Sequence, residues 1–153
     1  MDGRSLAGSD IALPADLPAA RTLALLAFQQ RHQGCVDRWI ARAERAGVPG
    51  SPLDLTSTDD MCVVEIPVLS TRWKVGRGFI DGGMAANIRI PRVLARTITV
   101  YTNVSAFQRL LGIPGSDDVQ ACVVTPKGEV LGRVPGEPTD AAWGVIAEAL
   151  GLP

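Results

Sequence analysis

Three residues within one short stretch could do chemistry together: Arg31, His32 and Cys35. They fall where an apolar run, Thr22 to Phe28, gives way to a helix whose stripe is Val36, Trp39, Ile40 and Ala43, at i, i+3, i+4 and i+7. That spacing places Cys35 in the first helical turn and at the flank of the stripe, so its thiol is expected to be partly exposed. Free N–H groups at a helix N-terminus favour a thiolate, and Arg31 and His32 could add positive charge. His32 is the only histidine, so any histidine base must be this one. The plain alternatives are a semi-buried core cysteine and a solvated loop histidine.

A second set of candidates lies in residues 71–96. Arg72, Lys74, Arg77, Arg89, Arg92 and Arg96 stand against the single acid Asp81, a local charge of +5. The rest of the chain carries −6, so charge is segregated although the total is −1. Trp73, Phe79 and Met84 interleave with the cations, and Gly76, Gly78, Gly82 and Gly83 break the segment. Such a segment can bind an anion, a phosphate or an acidic protein surface, with backbone N–H groups brought close by the glycines. Arg72, Trp73, Lys74, Arg77, Asp81 and Arg96 are the residues expected to carry that contact, with Asp81 pairing an arginine. The alternative is a solvated surface that Trp73 and Phe79 pin to the core. Gly76-x-Gly78 is not a dinucleotide-binding motif, because the third glycine and the strand–helix setting are missing.

Other chemistries are poorly supplied. Three cysteines with no Cys-x-x-Cys pair and one histidine give neither a disulfide scaffold nor a zinc site, so no metal and no cofactor are expected. Cys62 opens a strand and Cys122 lies inside another, and both read as core. A sequence pI near 5.8 weighs against a nucleic-acid partner. The first five residues lack the order of a signal peptide, and no apolar run is long enough to span a bilayer. The expectation is a cytoplasmic protein with free thiols.

The elements that must hold these residues follow from pattern. Residues 1–19, with Pro14 and Pro18, read as a flexible or extended lead-in. The domain then spans 20–153, with an irregular insert at 70–96. Strands are expected at Thr22–Phe28, Cys62–Pro67 and Thr97–Thr102, the last rich in β-branched residues. The first helix should stop at Gly47 and Pro49, and a short one, Ser105 to Leu111, at Gly112. Val119–Thr125 and Val130–Val134 flank the turn Pro126-Lys127-Gly128-Glu129 and form a hairpin. Thr139 caps a last helix, Asp140–Leu150. Alternating strands and helices predict a parallel sheet with right-handed crossovers, closed by antiparallel strands.

That order, with Tyr101 to Ile113 and the hairpin Ala121 to Arg133, resembles the thioredoxin-like fold in its peroxiredoxin-type form. The resemblance implies an α/β three-layer sandwich with a mixed central sheet of about five strands flanked by helices. It also places the thioredoxin redox pair at His32 and Cys35, so this chain reads His-x-x-Cys where thioredoxins read Cys-x-x-Cys. Dithiol exchange at that position is excluded. Val64 to Val68, Arg72-Trp73, Phe79-Ile-Asp-Gly-Gly-Met84 and Arg96 to Tyr101 resemble bacterial relatives of the mitochondrial ATP-synthase assembly-factor family, which keep the core without a Cys-x-x-Cys.

Three function classes follow. The first is a binding or assembly protein that uses the basic insert against a protein or an anionic small molecule. The second is a single-cysteine thiol oxidoreductase or peroxidase built on Cys35. The third is a small-molecule enzyme with a pocket between insert and sheet. Exposed sheet edges allow a homodimer.

Overall fold

In the computed structural model the described residues are 2–5, 10–17, 19–50, 60–70 and 97–153. The strands are β1 (Asp2–Ser5), β2 (Asp10–Ala12), β3 (Arg21–Ala27), β4 (Met61–Ser70), β5 (Ile98–Thr102), β6 (Gln120–Val124) and β7 (Val130–Pro135). The helices are α1 (Gln33–Arg45), entered through a 3-10 turn at Gln30–His32, α2 (Val104–Leu111) and α3 (Asp140–Leu150).

The apolar run of β3 is buried along nearly its whole length, which requires cover on both faces of the sheet. It lies parallel to β4, from Arg21 opposite Met61 to Ala27 opposite Pro67, and antiparallel to β6. β4 is also parallel to β5, and β6 pairs antiparallel with β7. The sheet has seven strands in the order β2-β1-β5-β4-β3-β6-β7, where the sequence suggests about five. The additional pair is β1 and β2, within the stretch read as a lead-in, and it is joined to the sheet. β1 runs antiparallel to β5, with Gly3 opposite Val100, and β2 returns along β1. A Cβ at Gly3 would fall 2.7 Å from Ile98 Cγ2, so glycine is what lets this short strand lie flat on its neighbour.

Helices cover both faces. On one, Val36, Trp39, Ile40 and Ala43 of α1 and Ile146 and Leu150 of α3 pack on Leu23, Leu25, Val63 and Ala121. On the other, Ile11 and Ala19 of the lead-in and Phe107 and Leu111 of α2 meet Leu26, Val64, Ile66 and Val100. The caps explain where the later helices begin and end. Asn103 accepts from the Ala106 N–H at 3.0 Å and Thr139 from the Ala142 N–H at 3.1 Å. Gly112 and Gly151 end their helices in the left-handed region, at φ 71° and 79°. β7 approaches α3 so closely that a Cβ at Gly132 would stand 2.9 Å from the Ala149 Cβ.

Candidate functional site

The end of β3 delivers Arg31, His32 and Cys35 to the start of α1, as the sequence implies. The 3-10 turn closes through the His32 N–H, which donates to the Gln29 carbonyl at 3.0 Å. It turns the His32 ring inward, so that the residue is only 3% exposed. This corrects the expectation of a solvated histidine. The physical reason is hydrogen bonding on both sides of the ring. Nδ1 accepts from the Phe28 N–H at 3.1 Å, and Nε2 lies 3.1 Å from the Asp117 carbonyl. The neutral tautomer with its proton on Nε2 satisfies both contacts.

Arg31 points the same way. Its Nη2 donates to the Asp117 carbonyl at 2.8 Å, and its Nε to the Gln29 side chain at 2.8 Å. Gln29 in turn donates to the Ser116 carbonyl at 2.7 Å. The loop after β3 is therefore strapped to the loop before β6 by side-chain bonds to backbone carbonyls.

Cys35 faces a different neighbour. Its Sγ donates to the Gly136 carbonyl at 3.5 Å, and the same oxygen accepts from the Trp39 indole at 2.8 Å. One residue further on, Glu137 is clasped by the Arg38 guanidinium, whose Nε lies 2.8 and 3.0 Å from the two carboxylate oxygens while Nη2 closes the pair. Arg42 then reaches the Pro138 carbonyl at 3.2 Å and Asp140 at 2.8 Å, and lies 5.7 Å from the centroid of the Trp143 ring. Cys35 is thus one member of a row, with Arg38, Trp39 and Arg42, that docks α1 onto residues 136–140.

That setting acts on the thiol. Burial, then the hydrogen bond to Glu137 and its negative charge, push the Cys35 pKa up to about 12. The Arg38 charge and the helix dipole pull the other way but do not prevail. The structure brings the three residues close along the chain, but their bonds diverge. Arg31 and His32 engage Asp117, Cys35 engages 136–137, and both His32 ring nitrogens are already hydrogen-bonded.

The other two cysteines are core. Cys62, opposite Thr22 in the parallel pair, has its Sγ 3.6 Å from the threonine hydroxyl. Cys122 is 2% exposed, and burial raises its pKa to about 12 against the opposing pull of Arg133. None of the three cysteines is in a disulfide. Among the described residues no group of histidine, cysteine and carboxylate side chains could hold a metal, and no helix is long and apolar enough to cross a membrane. Arg72, Trp73, Lys74, Arg77, Asp81 and Arg96 lie outside the described residues.

Sequence reasoning missed Gly136 and Glu137, which set the state of Cys35 from about 100 positions away. A usable signal was the Gly-Glu-Pro run before Thr139, a turn that had to sit over the first turns of some helix.

No family model matches the chain, and no curated protein matches it in sequence. Solved structures do resemble it. The exposed lipoprotein thioredoxin of Streptococcus pneumoniae superposes with a TM-score of 0.58 at 10% identity, over 99% of this chain and 97% of that one. An Aquifex aeolicus protein provisionally named an electron transfer protein gives 0.59 at 11% identity, over 98% and 90%. A Chlorobium tepidum protein provisionally named thiol:disulfide interchange protein DsbE gives 0.52 at 17% identity, over 99% and 93%. At such identities the likeness is one of architecture, and with the strand order and helix placement above it establishes that this chain has a thioredoxin-like fold.

Proposed function

We propose that this protein is a thioredoxin-like binding protein that works without dithiol exchange. One observation carries the reading. At the redox position of the fold the chain has His32 and Cys35, the histidine has both ring nitrogens engaged, and the thiol is held against the Gly136 carbonyl and the Glu137 carboxylate. A nucleophile needs an ionised or readily ionised sulfur, and a pKa near 12 leaves almost none at neutral pH. The basic insert, with Arg72, Trp73, Lys74, Arg77, Asp81 and Arg96, supplies the surface for a protein or anionic partner. The resemblance to ATP-synthase assembly factors supports an assembly role of that kind. A cytoplasmic setting fits three separate thiols.

The test is the pH dependence of Cys35 alkylation, followed by mass spectrometry, together with a disulfide-exchange assay. The expected result is half-reaction well above pH 9 and no exchange activity. A Cys35 pKa well below 8.5 with a trapped mixed disulfide would instead establish the second reading, a single-cysteine thiol oxidoreductase. That reading draws on Cys35 standing in the first turn of α1 and on the redox and electron-transfer names of its structural neighbours.

A further inference from the structure

Across the sheet from Cys35 lies a half-open cavity of about 340 Å³. Ala24, Leu26, Ile66 and Val100 form its floor and Phe107 of α2 one wall. The lead-in forms the opposite side, where the tip of the β6–β7 hairpin meets it. A Cβ at Gly128 would lie 3.4 Å from Pro14 Cγ. None of the fourteen lining residues carries a charge, a hydroxyl or an amide, and the one heteroatom is the buried Cys122 sulfur. At the rim Leu110 is 81% exposed, on a helix whose other large apolar side chains turn inward.

Protein interiors pack with few voids larger than a water molecule, and an apolar void gives a water no polar partner. A space of this size, walled by two elements and a hairpin tip, therefore calls for apolar matter. The lining offers no group to orient a polar ring or to neutralise a charge, so the buried part of the ligand is hydrocarbon. The open side lets a polar end stay in water. An engineered cavity of about 150 Å³ takes a benzene, so this one has room for a chain of roughly ten to twelve carbons.

We propose that this cavity binds the hydrocarbon chain of a single-chain amphiphile such as a free fatty acid, with the head group in solvent and Leu110 lying over the chain at the mouth. The proposal is independent of the chemistry at Cys35, because the two sites sit on opposite faces of the sheet.

The experiment is a calorimetric titration of the full chain with octanoate, decanoate and dodecanoate, each below its micelle-forming concentration. Dodecanol serves as an uncharged control. Affinity is expected to rise about fourfold per added methylene and to level off near twelve carbons, with dodecanol binding about as tightly as dodecanoate. Ala24→Phe, which fills the floor, should abolish binding. Leu110→Glu, at an exposed position, should weaken it about tenfold with an unchanged melting temperature. If Ala24→Phe does not fold, the chain-length series and Leu110→Glu decide alone. Affinity that ignores chain length, or binding untouched by Leu110→Glu, would overturn the proposal. So would a wild-type dimer in light scattering that Leu110→Glu splits, since a second copy would then cover the cavity.

Discussion

On the face of the sheet that carries Cys35, Trp39 is fully buried and the turn after β7 is tied to α1 by Cys35, Arg38, Trp39 and Arg42. On the opposite face, α2 and the lead-in stand apart and leave about 340 Å³ open between them. The first surface spends its polar groups on holding two parts of the chain together. The second keeps apolar surface that nothing among the described residues covers. Cys35, Arg38, Trp39 and Arg42 thus join α1 to residues 136–140, and the uncovered apolar surface lies across the sheet from them. Chemistry at Cys35 and ligand capture beside α2 should accordingly respond to different substitutions.

The largest break in that contrast should come from Trp39→Ala. It removes a fully buried ring and the donor to Gly136, and should cost about 3–5 kcal/mol in urea unfolding. Alkaline pH comes next. Cys122 ionises near 9.0 in the unfolded chain but only near 12 in the fold. Its stabilising contribution is complete below pH 9 and is lost as pH rises from there through 12. Cys122 alone should lower the unfolding free energy by about 1.4 kcal/mol per pH unit over that window, and the raised pKa of the more exposed Cys35 acts in the same direction, so the fall read from urea melts at pH 8, 10 and 11 should be at least that steep. His32→Ala strands the Phe28 N–H, leaves the Asp117 carbonyl with Arg31 as its donor, and should cost about 1–2 kcal/mol. A stability unchanged by this substitution would mean that the two His32 bonds add nothing to the strap that Gln29 and Arg31 make. Arg38→Ala should leave the urea midpoint almost unchanged, because the pair with Glu137 is exposed. The finest test is Glu137→Gln, which removes a charge that opposes ionisation of Cys35. It should lower the pH at which Cys35 alkylates, and an unchanged pH would remove Glu137 from the account of that thiol.

The strands and helices that carry strong local signals are legible in the sequence. The stripe of α1, the Thr139 cap and the Gly112 stop need only neighbours a few residues away. β1 and β2 are not legible, because Asp-Gly-Arg-Ser and Asp-Ile-Ala have little strand propensity of their own and become strands only by pairing at the β5 edge. The candidate cluster is legible as a place but not as a state. His-x-x-Cys lies between the end of β3 and the first turn of α1, where the sequence pattern puts it. His32 is bonded to Asp117, and the Cys35 pKa is raised by burial first and by Glu137 next, with both partners more than 80 positions away. Helical periodicity carries no information about such partners.

The central strand has a consequence for how the chain is made. β3 is flanked by β4 and by β6, and α1 is clamped by residues 136–140. While a ribosome is still delivering the first hundred or so residues, one edge of β3 has no strand beside it and the Trp39 face has no lid. A nascent chain that exposes both for most of its synthesis is open to mispairing, and its non-local contacts make closure slow. The last quarter of the sequence therefore acts as the fastener, and cellular yield should depend on how quickly it follows the rest out of the ribosome.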